Sequence, residues 1–210
     1  MKKLLVLTAV VLMVSTGAAH ATNYYLEGIG AYGSYADAKS MATGMFGFGG
    51  SVNEYVNIYA RSFFGSTSSG KAPTQKASKL IGGMGVVDCS YFFKTDFPLH
   101  FGLTAALGAG YGRAEIKDET TTKMVDDGTG TGTKVLKGYQ TFSDNSPIIG
   151  AWGGFKVICT QRFTLFAEAG YLSYIAFQDK LTDRSVQGAQ FLFGVTYTLC
   201  GSNSRVDEGY

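Results

Sequence analysis

The sequence predicts an all-β fold, an eight-stranded antiparallel up-and-down transmembrane β-barrel. Three observations carry that expectation. Several segments alternate apolar and polar residues with period two over lengths well beyond the roughly five or six residues of an ordinary strand. The connections between segments alternate short and long, as they do when the two ends of an up-and-down barrel differ. Composition agrees: 29 glycines in 210 residues and 14% aromatics, against 16% charged residues and 3 prolines. That balance excludes disorder, and glycines without a three-residue period exclude collagen.

Taken in order, residues 1–21 read as a signal peptide. Lys2 and Lys3 form a basic head, Leu4 to Val14 an apolar stretch, and Ala19-His20-Ala21 a small-x-small cleavage site. The exported domain is then 22–200, with a short tail at 201–210. The first two strands fall near 23–35 and 41–51. In the third, 55–64, Val56, Ile58, Ala60 and Phe64 oppose Asn57, Tyr59 and Arg61. The fourth lies at about 79–93. In the fifth, 99–111, Leu99 to Tyr111 at odd positions oppose His100, Gly102, Thr104, Ala106, Gly108 and Gly110. The sixth spans about 147–159. The seventh, 163–171, separates Phe163, Leu165, Ala167, Ala169 and Tyr171 from Thr164, Phe166, Glu168 and Gly170. The eighth, 189–199, puts Phe191, Phe193, Val195, Tyr197 and Leu199 on one face. Tight connections are expected at 52–54, 94–97 and 160–162, and long ones at 36–40, 65–78, 112–146 and 176–185. The arms 114–124 and 134–142 are expected to form a protruding hairpin turned at Gly128 to Gly132. Pro73 falls in a long loop, while Pro98 and Pro147 are placed at strand starts.

A sheet that spans a bilayer must close, with one face apolar and the other free to be polar. A Lys or Arg facing lipid at mid-membrane costs about 2–4 kcal/mol. The strand charges Glu27, Arg61, Asp88, Lys156 and Glu168 are therefore expected to point inward and form a lumen ion-pair network. Glycines on the inner face leave room for them in the narrow interior of eight strands. Aromatics near strand ends are expected as girdles: Tyr55, Tyr91, Phe93, Phe101 and Phe163 at one rim, Phe64, Tyr111, Tyr171 and Tyr174 at the other. The alternative is a secreted soluble ligand-binding barrel, with its apolar face inside and its charges in water.

Other chemistries are weak here. Without the leader, 16 basic residues balance 16 acidic ones, so no basic face is offered to nucleic acid. Gly28-x-Gly30-x-x-Gly33 fits a dinucleotide motif but lacks the following amphipathic helix. Asp126-Asp127-Gly128 lacks the carboxylate ladder of a calcium loop. His100 sits at the wrong end of its strand for chemistry at the outer leaflet. Cys89, Cys159 and Cys200 are odd in number and lack metal-site spacing. No enzymatic activity, cofactor or metal is expected.

The whole exported domain resembles the small eight-stranded outer-membrane barrel families, the OmpA transmembrane domain and OmpX among them. The most specific residues are Gly194, Tyr197 and Leu199, whose spacing is similar to the terminal-strand signal read by the barrel assembly machinery. Leu192 stands where that pattern prefers a polar residue, and ten residues follow Cys200. The resemblance implies Sec-dependent export to the outer membrane of a diderm bacterium and assembly as a monomer among outer-membrane lipid and lipopolysaccharide. Loops 65–78 and 112–146 are expected at the surface, serving envelope structure or adhesion to extracellular macromolecules. A narrow pore for small solutes is the alternative.

Overall fold

The computed structural model describes residues 23–35, 39–69, 76–94, 99–126, 133–175 and 186–200. The leader, the tail, Pro73, Pro98 and the glycine-rich turn 128–132 lie outside them. The described chain forms β1 (Asn23–Tyr35), β2 (Lys39–Ser51), β3 (Val56–Ser69), β4 (Lys76–Phe92), β5 (His100–Asp126), β6 (Thr133–Ile158), β7 (Phe163–Tyr174) and β8 (Gln187–Cys200). Each strand pairs antiparallel with the next, and β8 returns to β1, from Tyr24↔Cys200 to Tyr35↔Gly188, so the sheet is a closed eight-stranded up-and-down barrel. Closure removes every sheet edge from the wall.

Period two decides which side chains go where. In β1, Tyr25, Glu27, Ile29, Ala31 and Tyr35 are buried, while Gly28, Gly30 and Tyr32 face out. In β5 the odd residues Phe101, Leu103 and Leu107 are exposed, and Thr104 and Ala106 are buried. The outside of the wall is therefore apolar, with Phe46, Phe64, Ile81, Leu107, Ile149, Phe155, Phe191 and Phe193 all exposed. Arg61, Asp88, Lys156, Glu27 and Glu168 are all buried inside. The soluble-barrel expectation fails on the outer face, which is apolar, and on the strand charges, which lie inside rather than in water.

Three sequence expectations need correction. Tyr174 is not part of a rim girdle: Tyr171 faces out, so Tyr174, three residues on, points inward and is 4% exposed. Pro147 is not at a strand start but within β6, paired with Tyr111. It is tolerated because its carbonyl, accepting from the Ile175 N–H, faces the β7 side. The missing N–H faces that side too, opposite Ile175 and just past the last β6–β7 pair, Ile148↔Tyr174, so the loss falls at the end of that ladder. Strict alternation of short and long connections also fails. One end carries 52–55, 93–99 and 159–162, and the other carries 36–38, 70–75, 127–132 and 175–186. The link 36–38 is shorter than 93–99. Much of what reads as loop in 112–146 is ladder, because backbone pairing between antiparallel neighbours needs no apolar face. The difference between the two ends lies in the strands, since β5 and β6 outrun all the others.

Candidate functional site

Two places hold the functional possibilities: the lumen, and the extension of β5 and β6.

The lumen has three zones. At the end of the long strands, Met41, Leu80, Ile116, Ile148, Leu172, Tyr174 and Val186 fill the interior as one apolar cluster with Tyr35. Below it, Trp152 Nε1 donates to Gln190 Oε1 at 3.2 Å, and Gln190 Nε2 donates to the Tyr35 hydroxyl. The middle zone holds the charges. At the tight-turn end a polar cavity of about 140 Å³ opens, lined among others by Ser51, Asn53, Glu54, Asn57 and Thr164, with Lys156 reaching into it.

The five charged residues named from the sequence fall into two groups. Arg61 and Glu27 form a fork: Nε donates to Oε2 at 2.7 Å and Nη2 to Oε1 at 3.1 Å. Such bidentate charge-assisted pairing is the strongest form of the contact, and it holds the guanidinium plane fixed. That guanidinium also lies 5.3 Å from the Tyr59 ring centre and 5.9 Å from that of Phe166, within cation–π range. Glu168 is the outer member of the group, its Oε2 4.0 Å from Arg61 Nη1. Neither oxygen of Glu168 accepts a hydrogen bond from the described residues.

In the second group, Lys156 Nζ donates to both oxygens of Asp88, at 2.7 and 2.8 Å. Asp88 also accepts from Ser90 Oγ at 2.6 Å, Thr104 Oγ1 at 2.8 Å and Asn57 Nδ2 at 3.2 Å. A carboxylate so surrounded has its lone pairs saturated, which is the condition under which a buried ion pair is tolerated.

Register explains the geometry. Glu27 pairs with Gly47 across β1–β2, and Gly47 pairs with Arg61 across β2–β3. The two charges thus sit two strands apart with a glycine between them. A Cβ on Gly47 would lie 2.6 Å from Glu27 Oε2 and 3.3 Å from Arg61 Cγ. Sequence reasoning missed the cradle of Tyr59 and Phe166, the Asn57–Ser90–Thr104 shell and the Trp152–Gln190–Tyr35 chain. Parity alone puts most of these residues on the charged face, but which of them touch depends on strand stagger, which parity does not contain.

The second place is the β5–β6 ribbon. β4 pairs with β5 only as far as Ser78↔Ile116, and β7 pairs with β6 only as far as Ile148↔Tyr174. Beyond these points β5 and β6 pair with each other alone, out to Asp126↔Thr133. From Lys117 to Asp126 that is on the order of 30 Å of strand. Both edges of the ribbon lack a described neighbouring strand. The β5 edge is interrupted by a register break between Glu119 and Thr121, and the β6 edge runs from Thr133 to Ser146 without one.

The remaining sequence candidates are simply placed. Gly194, Tyr197 and Leu199 lie on β8, with Tyr197 tilted against Phe163 at 5.0 Å and its hydroxyl accepting from Arg162 Nη1 at 3.2 Å. Gly28, Gly30 and Gly33 lie within unbroken β1. His100 begins β5, paired with Ile158 at the tight-turn end. Cys89, Cys159 and Cys200 are free thiols.

No family model and no curated protein matches the chain. Among solved structures, Neisserial surface protein A (NspA) is 19% identical over 83% of this chain and 96% of its own, with a TM-score of 0.49. Ail, the attachment invasion locus protein of Yersinia pestis, is 12% identical over 84% and 97%, with a TM-score of 0.46. The N-terminal β-barrel domain of Pseudomonas aeruginosa OprF is 16% identical over 85% and 98%, with a TM-score of 0.38.

Proposed function

We propose that this chain is an integral outer-membrane protein that holds the β5–β6 ribbon outside the cell to engage extracellular macromolecules. The membrane part of the reading rests on the closed wall with its apolar exterior. Among the described strand residues the outward charges gather at the long-strand end, at Lys79, Arg113 and Glu115, as a bilayer requires. The adhesive part rests on one observation, the two-stranded ribbon that leaves the barrel with no described strand along either edge. An unpaired edge presents a row of N–H and C=O groups to which an extended segment of another chain adds by backbone bonding. The β6 edge, free of any register break, suits this better than the β5 edge.

The test uses cells producing the full chain. Added protease should cut within Lys117–Lys137 on intact cells while a periplasmic marker stays protected. Replacing 118–141 by a tight turn should abolish adherence to immobilised extracellular-matrix protein while the barrel still folds. Cleavage only after the envelope is opened refutes the orientation, and adherence that survives the replacement refutes the ribbon's role.

A narrow pore is the second reading, favoured by the polar cavity that enters from the tight-turn end. The apolar cluster at the opposite end weighs against it, because an ion crossing it would exchange its hydration for a mostly apolar, tightly packed lining.

A further inference from the structure

The outside of the wall is not uniform. In the row linking β8, β1, β2 and β3, Phe193 pairs with Gly30, Gly30 with Gly44, and Gly44 with Phe64. Two aromatic side chains thus flank two bare glycines across three strand spacings, about 14 Å. All four residues line a groove of about 520 Å³ that also takes in Tyr32, Ala42 and Ser66. In the next row toward the tight-turn end, Gly28 pairs with Phe46 and Phe46 with Ser62, so the exposed Phe46 ring stands below that end. In the row toward the long strands, the exposed Tyr32 of β1 pairs with Ala42, Ala42 with Ser66 and Ser66 with Lys79, so the groove opens on the β2–β3 side of the Tyr32 ring, beside an exposed lysine.

Charge around the groove is one-sided. Strands β1 to β4 contain two acids, Glu27 and Asp88, both pointing inward and both already paired. The lysines of those strands, Lys39, Lys76 and Lys79, all fall near the long-strand end. Glu115, the neighbour of Lys79 on β5, is engaged by Arg113 at 3.2 Å.

We propose that this groove holds one acyl chain of an anionic, phosphate-bearing lipid in the outer half of the bilayer, with its phosphate against Lys79. The inference rests on the membrane reading above. It adds a specific, saturable lipid site where the rest of the wall meets lipid without selection. The groove is a continuation of the apolar belt, the exposed Phe46 ring stands one row below it, and Lys79 sets positive charge beside its open end. An anionic lipid fits a slot that is mostly apolar along its lining and has an exposed lysine beside its open end.

The glycines make the test clean. A Cβ at Gly30 or Gly44 meets nothing within 4 Å, so Gly44→Phe fills the slot without disturbing the wall. Gly153→Phe, on the outward face of β6 away from the groove, is the control. The full-length protein is refolded into phosphatidylcholine vesicles containing phosphatidylglycerol. It is then extracted into mild detergent and weighed by native mass spectrometry. The native protein should retain one phosphatidylglycerol. G44F should lower that retention about tenfold with G153F unchanged, and K79Q should lower it about fivefold without affecting retained phosphatidylcholine. Equal retention by the native protein and G44F, or equal loss in G44F and G153F, overturns the site. A two-copy species abolished by G44F makes the groove an interface between copies and also overturns it. Flotation of the same vesicles separates the two readings. Protein that floats but shows no groove-dependent lipid leaves the membrane reading standing and removes this one. Protein that does not float removes both.

Discussion

Glu168 and Glu27 are both buried beside Arg61, yet they should respond oppositely to neutralisation. Glu27 receives two donors from the guanidinium at 2.7 and 3.1 Å, while Glu168 stands 4.0 Å away with no hydrogen bond from the described residues. Removing one partner of a fully engaged buried pair typically costs about 3–5 kcal/mol, since the other charge is left uncompensated. Glu27→Gln should therefore lower the urea midpoint of the barrel in lipid vesicles substantially. Glu168→Gln keeps the shape and removes a charge that gains little, so its midpoint should stay level or rise. A matched loss in both variants would mean that Arg61 depends equally on the two carboxylates. Gly47 belongs to the same argument. Gly47→Val, with its Cβ against Glu27 Oε2, should destabilise about as much as Glu27→Gln, and combining the two should cost less than the sum.

The strands divide into a wall and a projection. β5 and β6 serve the wall up to Ile116 and from Ile148, and beyond those points, among the described residues, they pair only with each other. Replacing 118–141 by a tight turn should accordingly change barrel stability by no more than about 0.5 kcal/mol, as for surface changes remote from the core. A large loss would mean that the ribbon folds back on the rim. Within the wall, Gln190→Leu should be felt at two strands at once, because it strips the acceptor from Trp152 and the donor from Tyr35. Leaving buried polar groups unmatched costs about 1–3 kcal/mol, which thermal unfolding in detergent would register.

For the whole molecule, the order of zones along the lumen governs what passes. Water and ions entering the polar cavity at the tight-turn end meet the two ion-paired groups and then a cluster that includes Met41, Leu80, Ile148 and Leu172, each 1% exposed. Refolded protein in a planar bilayer should show no steady conductance at neutral pH. Sustained current would mean that the apolar cluster opens. It would favour the pore over the adhesive reading.

The eight strands, their order and the inward set Glu27, Arg61, Asp88, Lys156 and Glu168 were legible in the chain itself. Period two is a local property, and a charge on an otherwise apolar wall has one affordable direction. The free hairpin beyond the wall was legible in part, from its two polar arms, but the lengths of β5 and β6 were not, because backbone pairing leaves no apolar signature. Tyr174 shows how a single residue is misplaced when rim position is read without parity. Partner choice in the lumen, Arg61 with Glu27 rather than Glu168 and Lys156 with Asp88, was decided only when the sheet closed. So was the slot between Phe193 and Phe64. Both depend on which residues stand abreast on strands distant in sequence, and that is fixed by register and stagger around the whole barrel, which no stretch of sequence contains.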